Sequence, residues 1–461
     1  MARPIEIYLC VQCDGTAAQW VGRCPHCGQW NTLQATRRTP AAAGPDTQAV
    51  SLRQVVGAAV RPMATGVGEL DRVLGGGFVA GSVTLVYGPP GVGKSTLLFQ
   101  VLASVAATGV EVVLASAEES LAQVSGRAWR IGAVPDHLLA LEGHDVVAIE
   151  QAIVRHNPAL VVVDSIQSVS DDQVAGVAGS LAQVKACVER LTRLAKATGV
   201  PIVLVGHVTK DGDLAGPRAV EHLVDTVVSF DGDRHHALRI LTAVKHRFGP
   251  AGEVGIFEMR EDGLRPVPDP GPLLLGDRMT GLPGSVVVPV LQGRRPLLVE
   301  VQALLGSGPA GSRPHTLGID ASRVALLLAV LACRTDISVS GDVFVAAVGG
   351  ISISEPAADL AVALAIASVV LGRAVPADLI VLGELGLAGE VRTVPGVDRR
   401  LAEAARAGFT TAIVPASTPD ELLPPGLEAY RVRTLLQAIG VAFVEGEPGT
   451  MPSWSTVAAS R

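Results

Sequence analysis

Aromatic side chains make up only 3% of the 461 residues and charged ones 18%, against 48% hydrophobic. A core with so few rings must be filled by Val, Leu, Ala and Ile, the usage of buried strands and helices in α/β proteins. Acidic residues outnumber basic ones, 44 to 37, for a formal charge of −7. That balance argues against coating nucleic acid through overall charge, while leaving room for a local basic channel. The apolar runs at 324–333 and 360–371 stop well short of the ~20 residues that span a bilayer, and the N-terminus lacks the apolar core of a signal peptide. A cytoplasmic protein that makes no use of a membrane is expected. Cysteines number six, four of them within the first 27 residues, which is not a secreted disulfide framework. Cys187 and Cys333 lie in apolar periodic segments and are expected to be buried thiols.

What is present begins with Cys10-Val-Gln-Cys13 and Cys24-Pro-His-Cys27, two knuckles ten residues apart. This spacing brings four thiolates to tetrahedral Zn²⁺ in a ribbon over residues 1–33. Gly15 and Gly28 suit the tight turns after each knuckle. A redox pair or two disulfides are disfavoured, because so short a segment has little core without metal. Four cysteines close the coordination shell, so the zinc is expected to be structural and His26 a bystander. Residues 34–61, rich in Ala, Thr, Pro, Gly and Arg, read as a linker.

Gly88-Pro89-Pro90-Gly91-Val92-Gly93-Lys94-Ser95-Thr96 matches G-x-x-x-x-G-K-[S/T]. An apolar β-branched run precedes it and a helical period follows, so the context is strand, loop, helix. Glycines let successive backbone N–H groups curl around phosphates, and the helix N-terminus adds its positive end. Lys94 then reaches the β/γ-phosphates of ATP, Ser95 offers its hydroxyl to Mg²⁺, and Thr96 faces the α-phosphate. Two further strands end in carboxylates. The run 111–116 leads into Glu118-Glu119, one of which can orient and deprotonate water; Glu119 is the preferred member. An acidic helix start is the alternative. Leu160-Val-Val-Val-Asp164 places a carboxylate on the Mg²⁺ shell.

The stretch 168–180 is long for a connection and reads as a binding loop. Lys185, Arg190, Arg193 and Lys196 on the next helix face either DNA or solvent. A strand from 201 delivers His207, a polar sensor for the γ-phosphate. Lys210 and Arg218 then flank a loop suited to clamping single-stranded nucleic acid. Lys245-His246-Arg247-Phe248-Gly249 closes another strand with two cations, as an arginine finger acting across a subunit boundary requires.

Taken together these segments resemble the RadA (Sms) family of RecA-type recombination and repair ATPases. The likeness covers the ribbon with Trp30-Asn31-Thr32, the phosphate loop, Glu118-Glu119-Ser120, Val163-Asp164-Ser165, the segment 206–210, Ala215-Gly216-Pro217-Arg218 and the segment 245–249. The family's K-N-R-F-G has His246 here in place of asparagine. The resemblance implies a RecA-like P-loop domain over 62–269 and a homohexameric ring with ATP sites between neighbours. It further implies translocation on single-stranded DNA, and branch migration of branched DNA joints with RecA recombinase. Lys245 and Arg247 then reach the neighbour's nucleotide.

Residues 270–445 resemble the α+β proteolytic domain of Lon, through the segments 296–303 and 389–396. Lon-type cleavage needs a serine activated by a lysine. Those positions align with Ala357 and Arg400, so a catalytically inactive domain is expected. The tail 446–461 is expected to be disordered. Two other function classes remain in view: an ATP-driven switch acting on proteins, and an ATP-dependent Ser/Lys protease.

Overall fold

The structure, a computed structural model, describes residues 5–10, 16–17, 19–38, 61–132, 134–207, 220–232, 238–308 and 313–443. It forms two compact units, Met1–Val60 and Arg61–Arg461. The predicted tail lies outside the described residues.

In the small unit, strands β1 (Ile5–Cys10), β2 (Thr16–Ala17) and β3 (Leu33–Arg38) form an antiparallel sheet in the order β2-β1-β3. β1 and β3 pair along their whole length, from Ile5 opposite Arg38 to Cys10 opposite Leu33. The strand thus runs five residues past the expected start of the linker. Its polar sequence has no period of its own; the β-favouring partner strand supplies the order.

The first half of the large unit is built on a nine-stranded sheet. Its strands are β4 (Val83–Gly88), β5 (Val112–Ser116), β6 (Leu138–Glu142), β7 (Leu160–Asp164), β8 (Ile202–His207), β9 (Thr226–Asp231), β10 (Leu238–His246), β11 (Val254–Arg260) and β12 (Gly263–Pro266). They lie in the order β12-β11-β10-β9-β4-β8-β7-β5-β6. From β9 to β6 every pairing is parallel, whereas β10, β11 and β12 are added antiparallel. Strands buried on both faces read as continuous apolar runs, and β4, β5, β7 and β8 do. Helices α1 (Gly68–Val73), α2 (Lys94–Ala106) and α3 (Leu121–Ile131) cover one face, against Val86, Leu114 and Val162. Helices α4 (Val146–His156) and α5 (Leu181–Thr198) cover the other, against Leu85, Val113 and Val161. Cys187 is buried among them, as its period predicted.

The second half has a seven-stranded sheet. It contains β13 (Ser285–Gln292), β14 (Arg295–Leu305), β15 (His315–Leu317), β16 (Val343–Ala347), β17 (Leu379–Val381), β18 (Thr411–Pro415) and β19 (Glu428–Val432). The order is β15-β16-β14-β13-β17-β18-β19. The apolar run 360–371 is a core helix, Asp359–Leu371, buried around its whole circumference over residues 359–368. The other apolar run, in helix Ala321–Arg334, buries only Val324, Leu327, Val330 and Leu331. Cys333 is therefore exposed, contrary to expectation, because two residues beyond Leu331 the helix has turned to its opposite face. No helix among the described residues is long and apolar enough to cross a membrane.

A buried ion pair joins the two halves. Glu69 on α1 accepts a hydrogen bond from the Ile256 backbone N–H at 2.9 Å and from the Arg295 guanidinium at the start of β14. Arg295 also donates to the Pro268 carbonyl at 2.6 Å. Removing one member leaves the other charged and buried, so Glu69→Ala should cost roughly 3–5 kcal/mol of stability. The exposed Asp269–Arg406 pair, broken by Arg406→Ala, should cost about 1 kcal/mol or less. Thermal unfolding of the two variants side by side tests this, and equal melting points would show that the buried pair does not hold the halves together.

Candidate nucleotide-binding site

Parallel strands in register deliver their C-terminal ends to one edge, where open α/β sheets hold ligands. Gly88 is paired with His207, and Ser116 with Asp164. The phosphate loop leaves this edge through a backbone that only glycine fits: a Cβ on Gly88 would lie 2.1 Å from the Phe230 carbonyl oxygen. Gly91 and Gly93 adopt φ of 78° and 112°, the left-handed region that closes the turn into α2. Lys94, the first residue of α2, donates to the carbonyls of Gly88 at 2.8 Å and Pro89 at 3.1 Å. Burial lowers its pKa, against the opposing pull of Asp164 and Glu118.

Asp164 ends β7 beside the loop, with the Ser95 hydroxyl next to its carboxylate. Burial raises its pKa, which Ser95 partly offsets. A hydroxyl and a carboxylate set together in this way form the donor set that Mg²⁺ takes with a nucleotide.

The adjacent glutamates diverge. Glu118 turns into the site, where it accepts hydrogen bonds from the hydroxyls of Ser165 and, at 3.4 Å, Ser168. His207 Nε2 lies 3.3 Å from its Oε1, a close contact not aligned as a hydrogen bond. The imidazole, followed by the Ser165 hydroxyl, outweighs burial and holds the Glu118 carboxyl at about 2. Polar atoms of Glu118, Asp164 and His207 all lie within 4.8 Å of one another. Glu119 points elsewhere and pairs with Arg127 on α3 at 2.8 Å. Ser120 caps α3 in a capping box with Gln123, which fixes where the strand-to-helix turn ends. Ser165 appears in the sequence only as part of the family-like segment 163–165, with no role assigned to it, and Arg127 carries no sequence signal, since its place needed the geometry of α3.

Lys245 and Arg247 are not part of this edge. β10 runs antiparallel to β9, and His246 pairs with Thr226 at the start of β9. The two cations therefore sit at the opposite edge, about 20 Å away along six residues of β4. Lys245 Nζ donates to the carbonyls of Glu221 at 2.7 Å and Val224 at 2.8 Å. Arg247 bonds the buried Asp225 carboxylate at 2.9 Å, whose second oxygen accepts from the Val83 N–H at 3.1 Å. Asp225 carries no signal in the sequence, since its partners are remote. The departure from the family motif, His246, meets Thr226 Oγ1 through Nδ1 at 3.0 Å. On α5, Arg190 is taken up by Glu150 and Asp171 at 2.7 and 2.9 Å. Lys210, Arg218 and Cys13 lie outside the described residues.

In the ribbon, the sulfurs of Cys10, Cys24 and Cys27 fall within 4.8 Å of one another, and those of Cys10 and Cys27 are 3.7 Å apart. Tetrahedral zinc with Zn–S bonds of ~2.3 Å sets such an edge at about 3.8 Å, so the geometry fits the metal. The Cys27 backbone N–H lowers the pKa of the Cys24 thiol, as a thiolate ligand requires.

Ala357 and Arg400, the residues expected at the serine and lysine positions of a Lon-type site, are both fully buried. Arg400 donates to both carboxylate oxygens of Glu355, at 2.7 and 2.5 Å, and to the carbonyls of Pro289 and Pro395.

A phosphate loop at the C-terminal edge of a parallel sheet, with carboxylates at the neighbouring strand ends, defines a P-loop ATPase domain, here joined to a zinc ribbon. Residues 64–213 match the model of the AAA domain, 8–35 that of the rubredoxin metal binding domain, and 347–418 that of subunit ChlI of Mg-chelatase. The chain is 45% identical over 454 residues to the DNA repair protein RadA of Mycobacterium tuberculosis, covering 95% of this chain and 93% of the relative. It is 42% identical over 453 residues to that of Bacillus subtilis, with coverage of 95% and 99%. It is also 42% identical over 453 residues to that of Pseudomonas aeruginosa, with coverage of 96% and 100%. The chain belongs to the RadA family.

The ribbon geometry predicts that Cys24→Ser lowers bound zinc, read by atomic absorption, while leaving binding of a fluorescent ATP analogue intact. Loss of nucleotide binding would instead make the ribbon part of the ATPase fold.

Proposed function

We propose that this chain is a DNA-dependent ATPase of recombination and repair. On this reading it works in the cytoplasm as a homohexameric ring that translocates on single-stranded DNA and promotes branch migration with RecA recombinase. The observation that carries the reading is the separation of Lys245 and Arg247 from their own phosphate loop. Cations at the far edge of the sheet cannot reach that loop, but a neighbouring copy presenting its far edge can complete the site. The relatives' name, DNA repair protein, supports the same reading.

Within one subunit, Lys94 binds the β/γ-phosphates and Ser95 with Asp164 holds Mg²⁺, which when bound neutralises charge developing on the phosphates. Glu118 takes the role of orienting the attacking water, in preference to Glu119, because Arg127 engages Glu119 while Glu118 faces the site beside Asp164. A carboxyl held at about 2 is ionised throughout the ordinary pH range. It is a weak proton acceptor, so positioning is its larger contribution. His207 touches Glu118 and lies three residues before Lys210 in the sequence, which would link DNA contact there to the water-orienting residue. The domain at 270–445 serves assembly without proteolysis: it has no hydroxyl at 357, and Arg400 is a guanidinium that cannot lose its proton.

Two experiments test this. Glu118→Gln should lower single-stranded-DNA-stimulated ATP turnover by roughly 10²–10⁴-fold with nucleotide binding retained, while Glu119→Gln keeps most of it; the opposite ranking would transfer the role to Glu119. Lys94→Ala and Arg247→Ala should each abolish turnover alone. When the two are co-expressed and purified as mixed assemblies, turnover should partly return, because some interfaces then pair an intact loop with an intact finger. No recovery in assemblies shown to contain both chains would refute a site shared between subunits. Turnover indifferent to DNA at every salt concentration would favour the protein-directed switch.

A further inference from the structure

Two of the chain's four tryptophans stand on the zinc ribbon, and both are exposed, Trp20 by 55% and Trp30 by 69%. In a protein with 3% aromatic residues this is an unusual place to spend two indoles. A ring left in water forgoes the burial that makes it valuable, and exposed aromatic groups mark binding surfaces.

The rings are neighbours. A Cβ built on Gly22 would lie 3.5 Å from Trp30 Cζ3 and 3.9 Å from Trp20 Cη2, so both rings flank the one residue between them that has no side chain. The backbone holds the pair in place. Arg23 and Trp30 form an antiparallel bridge, the Asn31 N–H donates to the Gly22 carbonyl at 2.9 Å, and Arg23 Nε donates to the Gly28 carbonyl at 2.7 Å. Such a platform needs little ordering when a ligand arrives, which lowers the cost of binding.

Charge selects the ligand. Between Trp20 and Trp30 the sequence has no acidic residue and carries Arg23, whereas the whole chain is at −7. Adjacent exposed rings beside the exposed Arg23, which is bridged to Trp30, are the two parts of a single-strand binding surface. Bases stack on the rings whatever their identity, and a backbone phosphate meets the Arg23 guanidinium.

We propose that Trp20 and Trp30 form a base-stacking platform through which the ribbon binds single-stranded DNA, separately from the loop at Lys210 and Arg218. The platform acts without nucleotide, and its occupant carries no sequence requirement.

The test uses the full chain with Trp129→Phe and Trp454→Phe, so that only the ribbon tryptophans emit. Titration with a short oligothymidylate in the absence of ATP should quench their emission, in step with the rise in anisotropy of the same oligonucleotide carrying a dye. In the parent chain, Trp20→Ala and Trp30→Ala should each weaken that binding by roughly fivefold to a hundredfold, with zinc content unchanged, and Trp30→Phe should retain most of it. Emission indifferent to the oligonucleotide would overturn the proposal. So would alanine variants that keep their zinc and bind as tightly as the parent; the rings would then be free for a protein partner. The readout requires no ATP turnover, so its failure is distinct from a failure of the motor reading.

Discussion

Burial of both faces of the central sheet is the constraint on which the site depends. β4, β5, β7 and β8 send alternate residues into cores on either side, so a slip of one residue in any of them would exchange the two sets and be resisted by both. The registers that follow place Gly88 beside His207 and Ser116 beside Asp164. The polar edge is thus set by apolar packing beneath it. Burial also tunes that edge: it makes Lys94 easier to deprotonate and Asp164 easier to protonate, while Glu118, with three polar neighbours, stays ionised.

Asp225 performs the corresponding task at the other end of the sheet. It is a buried carboxylate that holds Arg247 with one oxygen and the first N–H of β4 with the other. β4 therefore has the phosphate loop at one end and the anchor of the cation pair at the other. The segment 220–225 supplies every partner of Lys245 and Arg247 named above. The cation pair and the phosphate loop are then connected through one short stretch of chain and one strand.

Much of this was legible because it depends on local pattern. The phosphate loop, the knuckles and the apolar strands that end in Asp164 and His207 announce themselves through spacing and composition, and the expected helix bearing Lys185, Arg190, Arg193 and Lys196 appears as Leu181–Thr198. What the sequence left open depends on direction. Glu118 and Glu119 are chemically equal neighbours, and the turn into α3, stopped by the Ser120 capping box, decides which faces the site. Cys333 lies in an apolar run but on the turned-away side of its helix. Strand 33–38 has no pattern of its own and is ordered by its partner. Which edge receives Lys245 and Arg247 depends on β10 returning antiparallel, and no residue within the motif records that.

The Glu355–Arg400 pair carries an evolutionary consequence. A lysine placed at 400 would lie against the half-buried Glu355 carboxylate, which favours its charged form, whereas the lysine of a Ser/Lys dyad must be neutral to accept a proton. Restoring the serine at 357 and the lysine at 400 would therefore still leave the dyad without a base until Glu355 was replaced as well. Replacing Glu355 while Arg400 remains would strip a buried guanidinium of its carboxylate and lose stability. The ion pair thus separates this domain from Ser/Lys chemistry by more than the two residues such a dyad needs.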